Sequence, residues 1–393
     1  MSLSVSQRVQ RVKPSPTLAI SGLAADLRAQ GKDVIGLSAG EPDFDTPEHI
    51  KSAAIEAIRA GQTKYTQVDG TPALKAAIAR KFQRDNQIDY DMSQILVSSG
   101  AKQTCYNVCG AVLNPGDEAI IPAPYWVSYP DMVKLADGEP VIVSASIADG
   151  FKISARALEA SITERTRLVF LNSPCNPTGA AYTQAELAAL GEVLLQHPGI
   201  VIATDDMYEH IYWSDEPFVS LVQACPDLYD RTVTINGVSK CYAMTGWRIG
   251  YAGGPPEVIQ AMKKIQSQST SNPCSVSQAA SVAALDGDQS CVAEMNVAFK
   301  QRHDYLVAAL DDIPGFRCIS GAGTFYAFPN VEGAIRTRGL TDDSALAELL
   351  LNEAEVAVVP GSAFGAPGYI RLSFACGLGT LKEAVARIRR ALG

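Results

Sequence analysis

Residues Ile235 to Tyr251 read INGVSKCYAMTGWRIGY, in which Lys240 and Arg248 lie between two apolar patches. The first patch closes the run RTVTING and the second opens WRIGYAGG. From about Met92 the chain alternates such short runs, QILVSSG, EAIIPA, RLVFLNSP and IVIATDD among them, with longer helical patterns. Strands apolar on both faces and separated by helices predict a mostly parallel sheet covered on both sides, an α/β sandwich. Ligands of such sheets settle in the loops beyond the carboxyl ends of the strands. Polar residues stand at those places here: Ser99 and Gly100 after ILVS, Asn176 after LVFLNSPC, Asp205 after IVIAT, and Ser239 and Lys240 after TVTINGV.

Outward from this region, residues from about Gln289 to Asp312 predict one long helix. It is followed by the alternating segments GFRCIS, TFYAFPN, VAVVPG and YIRLSFA and a closing helix, TLKEAVARIRRAL. This is a smaller, partly antiparallel α+β unit. At the other end, a helix in TLAISGLAADLRAQG precedes VIGLSAGEPDF, whose Gly and Pro mark a loop. The chain therefore divides into an N-terminal segment, 1–45, packing with the small unit, a large domain, 46–288, and a small domain, 289–393, begun by the long linking helix.

The 393 residues are 47% apolar and 19% charged, enough hydrophobic material to fold nearly throughout. A net charge of −9 without any run of Lys and Arg argues against nucleic-acid or membrane binding, while a few arginines in a cleft can still hold a small anion. The nine cysteines are scattered singly, and the pair Cys105 and Cys109 has helical rather than CxxC spacing. Reduced core thiols in a cytoplasmic protein are expected. The N-terminus has no apolar export region, and no window of eighteen apolar residues occurs. Four dispersed histidines give no ligand spacing, so no metal site is expected.

Each candidate residue carries two readings. SSGAK, Ser98 to Lys102, is either a plain strand-to-helix turn or an anion site at a helix N-terminus. NSPCNPTG, Asn172 to Gly179, is a rigid turn that can also aim the amide of Asn176 at a ligand. Asp205 is a helix N-cap or a buried carboxylate that holds a cation protonated. Lys240 is solvated, or desolvated near cations and so a nucleophile and base. Arg248 suits a phosphate. Arg371, inside the apolar strand YIRLSFA, needs an anionic partner, either an internal acid or a ligand carboxylate.

Together these pieces resemble the fold-type I pyridoxal-phosphate enzymes, and specifically the class I aminotransferases. GVSKCYAMTGWRIG is similar to that class's cofactor-lysine signature, and GEPDFDTP, YTQVDGTPALK, PYWVSYPDM, NSPCNPTG, DDMYEH, QSQSTSNP and RLSFA follow the family's order from about Val12 to the C-terminus. The prokaryotic aspartate aminotransferase branch, some of whose members act on prephenate, is the nearest in pattern. The resemblance implies that 46–288 is the cofactor-binding domain and that Lys240 carries the aldehyde of pyridoxal 5'-phosphate and then shuttles the substrate proton. It implies that Asp205 pairs with the pyridine nitrogen, that Tyr208 and Asn176 donate to the phenolic oxygen, and that Trp126 stacks on the ring. Gly100, Ala101, Lys102, Ser239 and Arg248 would hold the phosphate end, with Tyr65 reaching in from the second subunit of a homodimer. Arg371 would clamp the substrate α-carboxylate, assisted by Gly40 and Asn176.

The implied reaction is ping-pong transfer between L-aspartate and 2-oxoglutarate. An aspartate or glutamate:prephenate enzyme, or an alanine or aromatic specialist, would share every cofactor residue, and a lyase on the same fold is a different chemistry. A cofactor-binding regulator is disfavoured, since only about forty residues precede GEPDF. Where another branch carries an arginine for the distal carboxylate this chain has Ser267. Lys13 in RVKPSPT matches a lysine implicated in dicarboxylate recognition, or is a plain exposed lysine beside a proline.

Overall fold

The computed structural model describes residues 3–393. A two-residue strand β1 (Ile35–Gly36) precedes a run of seven: β2 (Ile95–Ser98), β3 (Glu118–Ala123), β4 (Glu139–Ser144), β5 (Thr166–Asn172), β6 (Val201–Asp205), β7 (Thr232–Gly237) and β8 (Gly250–Gly253). These seven form one sheet in the order β2-β8-β7-β6-β5-β3-β4. All neighbours are parallel except β8, which runs antiparallel to both β2 and β7. The reason lies in the link from β7 to β8, which contains turns and one short 3-10 segment, Thr245–Trp247, but no crossover helix. Without a crossover the chain returns beside β7 in the opposite direction. That return link is where Lys240 and Arg248 sit.

Alternate residues of the central strands face opposite layers, as the pleat requires. Leu168 and Phe170 pack with Cys105, Val108 and Met262 on one side, while Val169, Leu171 and Ile202 pack with Leu187, Leu190 and Leu194 on the other. Both layers are buried, which explains the unbroken apolar runs of the sequence. The edge strand β4 is the one the sequence pattern did not single out. Only Val143 in it is buried, and Pro140 sits where just one neighbour strand has to be paired.

Helix Ser290–Asp311 leads out of the large sheet into the C-terminal unit. There β9 (Tyr326–Ala327), β10 (Val356–Ala357), β11 (Val359–Pro360) and β12 (Ile370–Ser373) follow. A small antiparallel sheet has the order β11-β12-β9. The segment GFRCIS makes only a single bridge, Arg317 to Asn330, rather than a strand. β1 pairs in parallel with β10, and helix Pro16–Ala29 packs Ala24 against Leu351 and Ala357. The N-terminal stretch thus lies against the C-terminal unit, and the ends of β6, β7 and β12 open into one shared space.

Candidate active site

That space is a cavity of about 520 Å³, a size suited to a small-molecule ligand. Lys240 enters it from the turn after β7, and its Nζ donates to the Gly40 carbonyl oxygen at 2.5 Å. Burial lowers its pKa to about 8, and the cations Arg371 and Arg248 push the same way. Of the two sequence readings the desolvated lysine is the one observed. Such an amine is partly neutral near physiological pH, so it can act as nucleophile and as base.

One end of the cavity is built for an anion. Gly100 adopts φ +88°, and a Cβ there would lie 2.3 Å from Arg248 Nη2. At Gly250 a Cβ would lie 2.1 Å from the Ala101 backbone nitrogen, so β8 and helix Ala101–Val112 touch backbone to backbone. Arg248 itself has φ +56° and donates to the carbonyl oxygens of Thr245 (2.8 Å) and Ser99 (3.4 Å). Ser239, Ala101 and Lys102 line the same end. The helix starts without a side-chain cap, leaving its first N–H groups and positive pole toward the cavity. Lys102 Nζ stands 5.0 Å from the Trp126 ring centroid, and burial followed by repulsion from Arg248 lowers its pKa.

Asp205 terminates β6 and lines the floor. The helix N-cap reading fails because turns, not a helix, follow it. Its Oδ2 accepts from the Tyr129 hydroxyl at 2.6 Å and its Oδ1 from the Met207 amide at 3.3 Å. Burial pushes the carboxyl up despite those donors and Lys240. A carboxylate held there ionised needs a cationic partner. Asn172 ties the floor together, donating to the Asp205 carbonyl oxygen at 2.7 Å while its own Oδ1 accepts from the Asn176 backbone N–H at 2.8 Å.

At the opposite wall Arg371 of β12 is 2% exposed. It donates to Asn176 Oδ1 at 2.9 Å and to the Ser38 carbonyl oxygen at 2.8 Å, and its Nε, buried, has no partner. The guanidinium lies 4.2 Å from the Tyr326 ring centroid and 4.9 Å from that of Phe364. Among the described residues no acid meets it, so the internal-acid alternative falls and the charge is left for a ligand anion. With its oxygen bound to Arg371, the Asn176 amide turns Nδ2 away from the arginine. Tyr208 is buried, its hydroxyl 3.1 Å from that of Tyr326.

Two expected residues do not reach the cavity of the single chain. Lys13 is exposed in the link ahead of helix Pro16–Ala29, and Ser15, Thr17, Leu18 and Ser21 of the same stretch line the cavity instead. Tyr65 is 93% exposed on an outer loop. Ser267 also lies elsewhere, its hydroxyl bound to the Lys264 carbonyl oxygen. Conversely, Tyr129, Tyr326 and Glu41 belong to the site and its support although the sequence reading did not name them. Tyr129, three residues after Trp126 in PYWVSYPDM, and Glu41, in GEPDFDTP, stand in motifs already marked in the sequence; Tyr326 does not.

Apart from the cavity, Asp85, Glu209 and His210 form a group of potential metal ligands among the described residues. The ammonium of Lys81 already occupies it as the ion-pair partner of Glu209.

The profile of the family described as aminotransferase class I and II matches residues 32–388. The chain belongs to this family. It is 57% identical over 392 residues to the aspartate/prephenate aminotransferase of Nitrosomonas europaea, covering 98% of this chain and 99% of that one. It is 50% identical over 391 residues to an aspartate aminotransferase of Rhizobium meliloti, covering 98% and 95%. Among solved structures, the aspartate aminotransferase from Rhizobium meliloti superposes with a TM-score of 0.96 at 49% identity, covering 100% and 99% of the two chains. The Thermus thermophilus aspartate aminotransferase with maleate gives 0.94 at 40%, covering 99% and 100%.

The protein is thus a fold-type I aminotransferase that uses pyridoxal phosphate. The residues present suit that cofactor. The Gly100–Arg248 cradle excludes any side chain where a phosphate would sit, Lys240 supplies a desolvated amine between Arg371 and Arg248, and Asp205 supplies the buried acid.

Proposed function

We propose that this aminotransferase moves the amino group of L-aspartate to 2-oxoglutarate, giving oxaloacetate and L-glutamate in two successive half-reactions through one site. The observation that carries this is the charge pattern of the cavity: buried Arg371, which no acid among the described residues meets, and Lys102, an exposed cation on the cavity lining over the Trp126 ring. One cation meets the α-carboxylate, and the other is free for the distal carboxylate of a dicarboxylic acid. The names of the Nitrosomonas and Rhizobium relatives support aspartate.

When bound, pyridoxal phosphate supplies an aldehyde to take up amines and a ring that withdraws the electrons released as the Cα–H bond breaks. This chain's residues do the rest. Arg248, Ser239 and the backbone at Gly100, Ala101 and Lys102 hold the phosphate. Asp205, oriented by Tyr129, would hold a proton on the ring nitrogen. Tyr208 and Asn176 would donate to the phenolic oxygen, and Trp126 would pack on the ring. Arg371, whose Nε has no partner, would grip the α-carboxylate and so orient the Cα proton for Lys240 in the same cavity. Lys240 then takes that proton and returns it, its lowered pKa suiting both directions.

We also place the active form as a cytoplasmic homodimer in which Tyr65 enters the neighbouring subunit's site. The 93% exposure of Tyr65, together with the exposed Ile55 and Ile58 on helix Glu48–Arg59, supports that. Prephenate as an additional amino acceptor is a second reading, favoured by the Nitrosomonas relative's name and by Leu18 and Val127 on the cavity wall. Rapid mixing of the cofactor-loaded protein with single amino acids tests both. L-aspartate and L-glutamate should discharge the cofactor absorbance much faster than L-alanine or L-phenylalanine, and 2-oxoglutarate should restore it. Equal rates for all four would sink the dicarboxylate assignment, and failure of prephenate to restore the band would remove the second reading.

A further inference from the structure

Tyr326 lies on β9, paired with Ser373 of β12, two residues from Arg371. It is 2% exposed, yet it lines the cavity. Its two ends touch opposite halves of the site. The ring carries the Arg371 guanidinium at 4.2 Å, and the hydroxyl stands 3.1 Å from the Tyr208 hydroxyl. Room for that hydroxyl depends on Gly40, where a Cβ would lie 2.9 Å from it. The charged groups that act on this pair are Arg371 from β12 and Asp205 from β6, while Lys240 lies over the neighbouring Phe325 ring at 5.9 Å.

Each phenol has one proton to give. Burial raises both above their ordinary values, so both keep that proton at neutral pH. If Tyr208 donates to the phenolic oxygen of the cofactor, as proposed above, its own oxygen must accept, and the hydroxyl in reach is that of Tyr326. We propose that Tyr326 is a positioning residue for both halves of the site: its O–H fixes the direction in which Tyr208 donates, and its ring is the platform that holds Arg371 flat for a carboxylate. This rests on the cofactor role of Tyr208. A hydroxyl that receives a hydrogen bond donates a stronger one, so the two phenols act as a chain.

The test is spectroscopic and uses the loaded enzyme. Tyr208→Phe removes a donor that stabilises negative charge on the cofactor oxygen, so the pH midpoint of the cofactor absorbance change should rise. Tyr326→Phe should raise it less, on the order of half a pH unit. The double variant should match Tyr208→Phe alone, because Tyr326 acts through Tyr208. Tyr326→Phe keeps the ring, so its affinity for the unreactive dicarboxylate maleate should stay within about twofold of the parent. Tyr326→Leu should weaken maleate binding by roughly tenfold. A midpoint unmoved in Tyr326→Phe but raised in Tyr208→Phe overturns the relay, and unchanged maleate affinity in Tyr326→Leu overturns the platform. If Tyr208→Phe itself leaves the midpoint in place, the cofactor role of Tyr208 fails and the relay falls with it.

Discussion

Lys240 is a buried cation whose hydrogen bond goes to a neutral carbonyl, with Arg371 and Arg248 near enough to repel it. A lysine whose folded pKa lies below 10.5 loses its proton earlier as pH rises, so its amine should become reactive near pH 8 instead of near 10.5. Labelling of cofactor-free protein with an acylating reagent, read at Lys240 by mass spectrometry, should reach half its limiting rate near pH 8. A midpoint above 10 would mean the side chain is solvated. The two carboxylate cations separate by the substrates they affect. Arg371→Leu removes the α-carboxylate grip and should lower kcat/KM by about 10²–10³ for every amino acid. Lys102→Ser should lower it roughly tenfold or more for L-aspartate while leaving L-alanine within a few-fold. Equal losses for both amino acids would place the distal contact elsewhere.

The elements beneath the site are braced by a buried network that the chemistry itself does not use. Lys81, 1% exposed, ends helix Pro72–Lys81, pairs with Glu209 and donates to Asn86 Oδ1 at 2.6 Å. Glu209 accepts from Asn86 (2.8 Å) and from Asn236 of β7 (2.7 Å). The helix, the turn after β6 and the strand before Lys240 are tied at one point. Burial alone would raise the Glu209 carboxyl, but Lys81, His210 and Asn86 hold it below its ordinary 4.5. Its contribution to stability is therefore present above pH 4.5 and is lost as pH falls through the lower folded value. Lys81→Met strands a buried carboxylate and should cost about 3–5 kcal/mol in urea unfolding at pH 7. A loss under 1 kcal/mol would contradict the pairing. None of this network was legible in sequence, because residues 81, 86, 209 and 236 meet only through the tertiary fold. The central strands were legible, since burial on both faces leaves an unbroken apolar run, and so were Lys240, Asp205 and Asn176 at their ends. β4 was not, because an edge strand lacks that run, and Tyr326 was not, because a tyrosine in a short strand reads as ordinary core.

At the scale of the molecule, the cavity is closed from three directions: the large sheet, the β11-β12-β9 sheet and the N-terminal stretch. Helix Gln7–Gln10 reaches the large sheet's side through Arg8 and Arg11, 2.6 and 2.9 Å from Asp137, while helix Pro16–Ala29 rests on the C-terminal unit. We propose the same division into an N-terminal segment, 1–45, packing with the small domain, a large domain, 46–288, and a small domain, 289–393; Ser15, Thr17, Leu18 and Ser21 of the N-terminal stretch line the cavity. Among the described residues no helix is long and apolar enough to cross a membrane. Sedimentation of the active species should give a dimer, and a fully active monomer would remove the role given to Tyr65. The most direct measurement is borohydride trapping of the cofactor on the loaded protein, mapped by peptide mass. The trapped cofactor should sit on Lys240, disappear after a brief exposure to L-aspartate, and return when 2-oxoglutarate is added before trapping. A cofactor fixed to another residue, or one that L-aspartate does not release, would contradict the assignment of this chain as an aspartate aminotransferase working through Lys240.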